Sequence, residues 1–482
     1  MIVKTKNENQ YYLSDNKKEM LILPELLSEF INSDGCLSSD SVIVDNEEVA
    51  YYKRKYNLLK KAGYFTKLES DNYEFVTKDL LERGLANSKH IIFETTEKCN
   101  LRCHYCGYGE VYSTFAKRSK NELPFEKAKS FLDFMINHWN SPFNVSSNKQ
   151  INISFYGGEP LMNFPFIQKV VEYVSSRLLK NNYMTFSMTT NGTLLDKYID
   201  FLVKWNFTLF ISIDGDKYHN SYRVYANGKE SFDKVFNNIS LIKNRYPLFF
   251  DEKISFNSVF HKRSSYIEVS DFFQRVFNKA PLFLSLNTFG VAKDKEDEFK
   301  ELYKNPAQVL ADESECNPEI KKQFSSTGEK LLSFLVNYDS SLFPDYNALR
   351  FGLNNRKLPT GTCLPFQNRI HVSTSGYLLP CERVGSNFLM GKIENGYVDI
   401  FYDEIVRYYN KRMKQIVEEL CSKCKNHFCK SCLFTMKYDK GKVQCGKFLT
   451  EKGFNNYVKS LIEECEDDSY FVSNFFSSIG KK

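Results

Sequence analysis

Cys99, Cys103 and Cys106 lie within eight residues, spaced Cys-x3-Cys-x2-Cys, directly after the apolar stretch 91–93. Thiolates this close together can converge on one inorganic centre. A cubane cluster has four irons, so three cysteines would leave one iron without a protein ligand. An open metal position is where a small molecule can bind and react. On spacing alone, a zinc site lacking its fourth ligand and three unrelated buried thiols remain alternatives.

Length and composition indicate a globular protein of several domains. The chain has 482 residues, of which 42% are hydrophobic and 26% charged, which is more than one core accommodates. A net charge of +6 without a long Lys/Arg cluster predicts no nucleic-acid partner. No apolar run approaches the roughly 20 residues that span a bilayer. The first residues also lack the apolar core of a signal peptide, so we expect a cytoplasmic protein without a membrane partner.

The 13 cysteines are unevenly distributed along the chain. Three lie at 99–106 and seven lie between 363 and 445. Because the cytosol keeps thiols reduced, disulfides are not expected, and clustered cysteines indicate metal binding. No role is assigned to the isolated residues Cys36, Cys316 and Cys465.

The region from about residue 87 to 302 alternates between apolar runs and helical patterns, which predicts an α/β fold with a mainly parallel sheet. Right-handed crossovers would curl its six strands into an open or closed barrel. The predicted strands are 91–95, 151–156, 185–190, 208–213, 254–260 and 283–288. The predicted helices between them are 125–139, 165–179, 197–205, 232–246 and 266–277.

The remaining segments predict smaller units. Residues 1–86 indicate a small α+β domain, with strands at 11–13 and 20–23, a helix at 47–62, and a further helix and strand at 24–31 and 73–76. Residues 303–360 are predicted to be a helical linker, 361–450 a cysteine-rich domain and 451–482 a helix-rich tail. The acidic run 463–468 in the tail is expected to be a solvated surface.

A polar or glycine-rich motif lies at the end of each of the three predicted strands 151–156, 185–190 and 208–213. These motifs are Tyr156-Gly-Gly-Glu-Pro, Thr189-Thr-Asn-Gly-Thr and Ser212-Ile-Asp-Gly. Adjacent glycines allow close backbone approach, and Glu159 could fix the geometry or accept from an ammonium group. Each motif alone could be an ordinary turn, but the carboxyl ends of parallel strands meet at one edge, where sites form.

Together these motifs resemble the radical S-adenosylmethionine (SAM) enzymes. The resemblance rests on Cys99, Cys103 and Cys106, on Tyr105 before the last cysteine, and on the three strand-end motifs in the family's order. It implies a partial (β/α)6 barrel in which the cysteines hold a [4Fe–4S] cluster whose fourth iron is chelated by SAM. The implied SAM-binding residues are Tyr105, Gly157, Gly158, Glu159, Pro160, Thr190, Asn191, Gly192, Ser212 and Asp214. It also implies that a reduced cluster cleaves SAM to a 5′-deoxyadenosyl radical, which abstracts a hydrogen from the substrate.

The C-terminal cysteines resemble the SPASM extension of this family, which binds auxiliary [4Fe–4S] clusters. Cys363-x12-Gly376-x4-Cys381 matches closely, whereas the block 421–432 is shorter than the usual pattern by one residue in each of two gaps. By analogy, auxiliary cluster I would be held by Cys363, Cys381 and Cys432 without a fourth cysteine, and cluster II by Cys421, Cys424, Cys429 and Cys445. The chain would then carry three clusters. A four-cysteine zinc site within 421–432 is the alternative.

SPASM enzymes mostly modify peptides, and two subfamilies are relevant. Anaerobic sulfatase maturases, which form formylglycine, carry Asp directly after the cysteine that matches Cys381, whereas this chain has Glu382, a candidate catalytic base. Maturases of ribosomally made peptides often carry an N-terminal winged-helix-like domain that pairs an extended leader with a sheet edge, and residues 1–86 are compatible with one.

We therefore expect a peptide maturase that forms a thioether, carbon–carbon or related cross-link on a precursor peptide with a leader. Its electron donor would be a low-potential protein such as flavodoxin or ferredoxin. The sulfatase maturase is the runner-up, and a zinc-binding adaptor without catalysis is the non-enzyme alternative. The sequence does not specify the modified residue or the bond formed.

Overall fold

The computed structural model describes residues 2–13, 20–24, 31, 47–65, 76–113, 119–145, 149–177, 179, 182–288, 290–316, 362–382, 384, 388–424, 432–434, 436–439, 442–445 and 448–467. Two compact units divide the chain. The smaller unit contains 1–74, 319–362 and 412–482, and the larger contains 75–318 and 363–411. Within the described ranges, no helix is long and apolar enough to cross a bilayer.

The smaller unit is built on a three-stranded antiparallel sheet with the order β1-β2-β3. Its strands are β1 (Ile2–Lys4), β2 (Gln10–Leu13) and β3 (Met20–Leu23), and its helices include α1 (Glu47–Lys61) and the C-terminal helix, labelled α12 (Glu451–Asp467). Successive side chains of a strand point to opposite faces. Accordingly Tyr11 and Leu13 pack with apolar residues of α12, while Tyr12 packs with Tyr56 of α1 and with Phe65.

The acidic run of α12 contacts the turn between β1 and β2, so the expectation of a solvated surface is wrong for this part of the run. Glu466 accepts hydrogen bonds from Thr5, Asn7, Asn9 and Tyr11 at 2.8–3.0 Å. These contacts are nonlocal, joining residues more than 450 positions apart, which explains why the charge pattern alone gave no sign of them. The predicted strands at 11–13 and 20–23 are confirmed, and β1 was not predicted.

Six parallel strands form the centre of the larger unit, as the sequence predicts, and successive strands pair in chain order. They are β4 (His90–Thr96), β5 (Lys149–Gly157), β6 (Asn182–Thr190), β7 (Thr208–Ser212), β8 (Ile254–Phe260) and β9 (Leu282–Ser285). Because all six run the same way, the loops after their carboxyl ends lie along one edge of the sheet.

Amphipathic helices connect these strands, and further helices precede β4 and follow β9. In α3, the buried residues Ala128, Phe131, Leu132 and Met135 repeat at helical spacing, which places them on one apolar stripe. The helices are α2 (Lys78–Ala86), α3 (Phe125–Trp139), α4 (Phe164–Ser175), α5 (Leu195–Lys204), α6 (Phe232–Arg245), α7 (Pro247–Lys253), α8 (Tyr266–Phe277), α9 (Glu296–Leu302) and α10 (Pro306–Cys316). The five predicted helices are confirmed, with ends that differ by a few residues at most.

Four further strands extend the sheet beyond β4. They are β10 (Ile370–Val372), β11 (Tyr377–Leu379), β12 (Gly391–Glu394) and β13 (Tyr397–Ile400). Strand β10 pairs in parallel with β4, and the other three continue as an antiparallel meander. Part of the predicted cysteine-rich segment therefore belongs to the same sheet as the barrel strands.

The other described elements are α11 (Tyr402–Glu419) and the hairpin β14 (Lys437–Asp439) and β15 (Lys442–Gln444). Three predicted segments lie mostly outside the described residues: the linker, the helix at 24–31 and the strand at 73–76. The compact units divide the chain near Glu74 rather than at residue 86. This agrees with α2, whose buried residues Leu81 and Leu85 lie in the larger unit. The five consecutive segments proposed from the sequence stay a prediction.

Candidate active site

The three cysteines lie on the loop that follows β4, and all three are partly buried. The loop is fixed locally by a hydrogen bond from the Cys106 amide to the Cys103 carbonyl at 3.1 Å. The amide of Leu101 donates to the Cys99 sulfur at 3.4 Å. An amide directed at a sulfur favours its thiolate form.

A second segment pairs with this loop in antiparallel fashion. Leu101 forms a β-bridge with Tyr225. The amides of Arg102 and His104 donate to the carbonyls of Val224 at 2.6 Å and Tyr222 at 3.1 Å. The segment 222–225 thus holds the cysteine loop from one side.

The glycine motif after β5 contacts the cysteine loop through backbone alone. A Cβ on Gly157 would lie 2.3 Å from the Thr96 carbonyl oxygen, and one on Gly158 would lie 2.2 Å from that of Lys98. Gly157 also has φ +135°, where other residues are strained. The amides of Gly158 and Glu159 donate to these two carbonyls at 2.8 Å each. The glycines are therefore needed for contact with the loop that carries the cysteines.

Glu159 is fully buried and fixes the geometry of the neighbouring strand end, which was one of its two predicted roles. Its carboxylate accepts from the Thr190 hydroxyl at 2.8 Å, the Asn191 amide at 2.7 Å and the Leu161 amide at 3.2 Å. Burial raises the pKa of Glu159 to about 7, against the effect of these hydrogen bonds. One carboxyl group thus connects the loops after β5 and β6.

Asn191 connects the loop after β6 to the cysteine loop. Its side-chain nitrogen lies 2.8 Å from the Asn100 oxygen and 3.8 Å from the Cys99 sulfur. Its side-chain oxygen accepts from the Thr193 amide at 3.0 Å. Gly192 has φ +77°. Asn191 is therefore brought beside Cys99, and the lining of a SAM cavity by Thr190, Asn191 and Gly192 stays a prediction.

The third motif supplies a buried charge pair. Asp214 accepts two hydrogen bonds from the Arg223 guanidinium at 3.0 Å each, and the Tyr105 hydroxyl also donates to it. Burial alone would raise the pKa of Asp214, but the Arg223 charge, the neighbouring His261 and the hydrogen bonds together outweigh it and lower the pKa to about 2. The same pairing holds the pKa of Arg223 above its usual range despite burial. The Arg223 guanidinium also lies 5.4 Å from the centre of the Tyr105 ring.

His261, the residue directly after β8, also contacts Tyr105 and Asp214. Its ring stacks on Tyr105 with centres 5.5 Å apart. The Arg263 amide donates to its Nδ1 at 3.2 Å, so the hydrogen is on Nε2, which lies 3.7 Å from the Asp214 carboxylate. The Tyr105 side chain thus joins the cysteine loop to Asp214, and the polar atoms of both side chains are already engaged. Their direct contact with SAM stays a prediction, as does that of the half-buried Ser212.

The turn between β10 and β11 is also attached to the cysteine loop. Glu94 accepts from the Thr374 amide at 3.1 Å and from the Tyr108 hydroxyl at 3.0 Å. The Thr374 hydroxyl donates to Glu97 at 2.5 Å. These residues lie about 280 positions apart in sequence, and no local pattern in the sequence indicates their contact.

The cysteine loop fits the iron–sulfur cluster of the predicted family. Burial, together with the nearby thiols of Cys106 and Cys99, raises the pKa of the Cys103 thiol to about 12 against the opposing effect of Arg223. Three thiols this close cannot all ionise without a cation, and a coordinating metal deprotonates them. In the described part of the chain, no three His, Cys, Asp or Glu side chains converge on a single ion. A cubane cluster does not require such convergence, because each iron binds its own cysteine.

The predicted auxiliary ligands are only partly described. Cys363 is exposed and its sulfur accepts from the Asn368 side chain at 3.3 Å. Cys381, Cys421, Cys424, Cys432 and Cys445 are partly buried, whereas Cys429 lies outside the described residues. The assignment of these cysteines to two clusters, and of three clusters to the chain, stays a prediction.

Glu382 forms an ion pair with Arg369, whose Nη1 lies 3.0 and 3.1 Å from the two carboxylate oxygens. Burial opposes ionisation, but the Arg369 charge, the nearby His371 and the hydrogen bonds to the carboxylate together outweigh it, so the pKa of Glu382 is lowered. A carboxylate with a lowered pKa is a weak general base. The geometry therefore favours a positioning role for Glu382 over the catalytic role suggested by the sequence.

Sequence reasoning missed Asn100, Arg223 and His261. Arg223 and His261 are buried, and both act through Asp214. Asn100 follows Cys99 directly and contacts Asn191 and Thr193. A buried aspartate needs a cationic or hydrogen-bonding partner, so the search for a partner of Asp214 was the signal that could have found Arg223.

Comparisons with known proteins agree with this geometry. Residues 93–275 match the model of the Radical SAM superfamily. A serine-type anaerobic sulfatase-maturating enzyme of Bacteroides thetaiotaomicron is 34% identical over 152 residues, covering 30% of this chain and 34% of that relative. The radical SAM cyclopropyl synthase TigE of Paramaledivibacter caminithermalis is 30% identical over 179 residues, covering 36% and 35%. The matched part of the chain thus spans about a third of each relative's length.

The fold is also similar to that of solved structures. The structure of native anSMEcpe with bound AdoMet and Cp18Cys peptide superimposes with a TM-score of 0.52 at 22% identity, covering 80% of this chain and 99% of that chain. At this identity the likeness concerns the fold. The family implies a [4Fe–4S] cluster and SAM as cofactors. Residues 93–275 are thus a Radical SAM domain, and this part of the chain is similar to the two enzymes named above.

Proposed function

We propose that this chain modifies a ribosomally made precursor peptide by radical SAM chemistry, forming a cross-link such as a thioether or carbon–carbon bond. The observation that carries the proposal is the attachment of three strand-end loops to one cysteine loop through Gly158, Glu159, Asn191 and Asp214. When bound, the cluster supplies one electron to SAM and so starts hydrogen abstraction from the substrate.

The chain's own residues have three tasks in this proposal. Cys99, Cys103 and Cys106 would hold the cluster and leave one position for SAM. The backbone at 157–158 and the loop 190–192 would line the SAM site, because they are held against the cysteine loop. Glu159 would keep these two loops in register from beneath. A site lined by fixed backbone positions the reacting carbon without reorganisation.

A peptide substrate is supported by the relatives and by the C-terminal cysteines. One similar protein is named for maturing sulfatases, and a solved neighbour contains a Cys peptide. The seven cysteines between 363 and 445 resemble the SPASM pattern of peptide-modifying enzymes. Leader recognition is supported by the smaller unit, whose sheet has α12 on one face and α1 on the other.

Among the described residues, β3 is one of the two edge strands of that sheet, and Ile22 on it is 71% exposed. An extended segment can add to such an edge through main-chain hydrogen bonds. We therefore propose that β3 receives the leader. A low-potential donor such as flavodoxin or ferredoxin would supply the electron, and the protein would act in the cytoplasm.

The sulfatase maturase is the second candidate, and similarity to enzymes of that class favours it. Its formylglycine product carries an aldehyde, whereas a cross-linked peptide does not. Incubating the reconstituted enzyme, SAM and a low-potential one-electron reductant with short peptides encoded by neighbouring genes, and separately with a sulfatase peptide, separates the two. The proposal expects a cross-linked product that does not react with a hydrazide. A hydrazide-reactive sulfatase peptide, with no change in the precursor peptide, would overturn it.

The cluster assignment has its own test. Changing Cys99, Cys103 and Cys106 together to Ala is expected to abolish 5′-deoxyadenosine formation while leaving the iron and sulfide of other clusters. Three clusters of four irons predict about 12 irons per wild-type chain. Zinc without sulfide, or SAM cleavage that persists in the triple variant, would contradict the assignment.

A further inference from the structure

Cys103 and Arg223 face each other across the antiparallel pairing of the cysteine loop with the segment 222–225. The bridge and the two hydrogen bonds of this pairing share one register, which places residue 103 opposite residue 223. The pair lies between two hydrogen-bonded pairs. In this position opposite side chains project to the same face and the Cα atoms approach to about 4.5 Å.

The guanidinium of Arg223 is held in place by its surroundings. The residue is 7% exposed, its Nε and Nη2 each lie 3.0 Å from Asp214, and its centre lies 5.4 Å from that of the Tyr105 ring. Tyr105 stands between Cys103 and Cys106 in sequence. A bidentate ion pair and a ring contact fix both the orientation of the guanidinium group and its buried position.

We propose that Arg223 is a positioning residue whose fixed positive charge favours one-electron reduction of the iron–sulfur cluster held by Cys99, Cys103 and Cys106. Reduction adds one electron, supplied by a low-potential one-electron donor, and no bond or proton is lost. A buried positive charge stabilises the added negative charge, because little water screens it. Asp214 opposes this effect in part and sets its size. The inference goes beyond the proposed peptide chemistry, because it concerns the cluster before any substrate binds.

Arg223→Gln and Asp214→Asn are expected to shift the reduction of the cluster in opposite directions. An effect of charge can therefore be distinguished from a general structural disturbance. In the anaerobically reconstituted full-length enzyme, the cluster is followed by the electron paramagnetic resonance signal that changes on addition of SAM. At a fixed donor potential, Arg223→Gln is expected to lower the ratio of reduced to oxidised cluster about tenfold, which is 59 mV for one electron. Asp214→Asn is expected to raise that ratio, since it leaves the Arg223 charge less compensated.

Control variants complete the test. Arg223→Lys keeps a positive charge but loses the bidentate geometry, so its ratio is expected to fall between those of wild type and Arg223→Gln. Arg245→Gln removes an exposed arginine paired with Asp200 and is expected to change nothing. Iron content and SAM binding are measured for every variant, so a loss of cluster is recognised as such.

The inference is overturned if Arg223→Gln keeps its iron and its ratio, or if both charge changes shift the ratio in the same direction. Should Arg223→Gln fail to fold, Asp214→Asn alone decides: a raised ratio supports the inference, and an unchanged or lowered ratio overturns it. The double variant Asp214→Asn/Arg223→Gln is expected to fall between the two single variants. No peptide is present, so failure here leaves the proposed function untouched.

Discussion

Glu159 and Asp214 are two fully buried carboxyl groups at strand ends of the same sheet, yet their environments differ. Glu159 accepts hydrogen bonds only from neutral groups, and burial raises its pKa to about 7. Asp214 is paired with Arg223, and its pKa is lowered to about 2 despite equal burial. A buried carboxyl group keeps its charge at neutral pH most firmly where a cation offsets the loss of water.

The difference assigns separate tasks to the two strand ends. The loop at Glu159 is fixed by neutral hydrogen bonds to backbone and to a hydroxyl group, which favours close backbone approach to the cysteine loop. The loop at Asp214 carries a fixed charge pair beneath the cysteines. The strand end at Glu159 therefore provides close backbone packing against the cysteine loop, and the strand end at Asp214 provides a charge pair next to the same loop.

The largest expected effect comes from breaking the charged side of the comparison. Asp214→Ala leaves the Arg223 guanidinium buried without its partner, which costs about 3–5 kcal/mol in the free energy of unfolding. Urea denaturation followed by circular dichroism measures the loss. Asp200→Ala, at an exposed pair with Arg245, is the matched control and should leave the unfolding midpoint unchanged. Equal midpoints for both variants would show that the buried pair contributes nothing.

The pH dependence of the unfolding free energy tests the environment of Glu159, which has only neutral hydrogen-bond partners among the described residues. The pKa of Glu159 is about 7 in the fold against a usual value of 4.5. The folded state therefore binds more protons between these values, so stability falls as pH rises from about 4.5 to about 7. The shift corresponds to about 3 kcal/mol. The contribution is fully present below pH 4.5 and lost above the folded pKa.

Glu159→Gln isolates this contribution, because all other groups titrate in both proteins. The difference in unfolding free energy between wild type and variant should change across this pH range, with wild type losing stability as pH rises. A difference that stays constant with pH would falsify the raised pKa of Glu159.

Adding one methyl group tests shape where no charge is involved. In Gly158→Ala, the new Cβ would lie 2.2 Å from a backbone oxygen of the cysteine loop, so the loops must move apart at a cost of about 1–3 kcal/mol. SAM binding should weaken in equilibrium dialysis. Gly453→Ala, whose nearest contact would be 3.4 Å, is the control. Unchanged SAM binding in Gly158→Ala would show that this approach is unimportant.

The smallest effect is expected at Glu382. Its charge is held by Arg369 and its pKa is lowered, so Glu382→Gln should leave peptide modification within about tenfold of wild type, below the 10²–10⁴-fold contribution of a general base. The yield of modified peptide per 5′-deoxyadenosine measures it. A hundredfold loss of modified peptide with SAM cleavage intact would restore the catalytic role of Glu382.

Much of the sheet and the three-cysteine loop could be predicted because their signals are local. Apolar runs mark β4 to β9, and the glycines at 157–158 mark a close approach, although the partner is the cysteine loop itself. Pairings across long distances in sequence could not be predicted in this way. The bridge of Leu101 with Tyr225 and the contact of Glu94 with Thr374 arise only when distant segments meet. Neither the secondary-structure propensity nor the hydrophobic periodicity of a segment indicates which distant segment it contacts.

The contact of α12 with the first hairpin has a consequence for the order in which the protein is made. The Thr5 hydroxyl and the Glu466 carboxylate, 461 positions apart, are joined at 3.0 Å, and one face of the β1–β2 hairpin is covered by apolar residues of α12. A ribosome releases the hairpin long before it synthesises its partner. The hairpin must therefore wait, with Tyr11 and Leu13 uncovered on that face, until translation has passed residue 466. The larger unit, whose last residues precede α12, can complete its sheet earlier, so the smaller unit completes its fold after the larger one during synthesis.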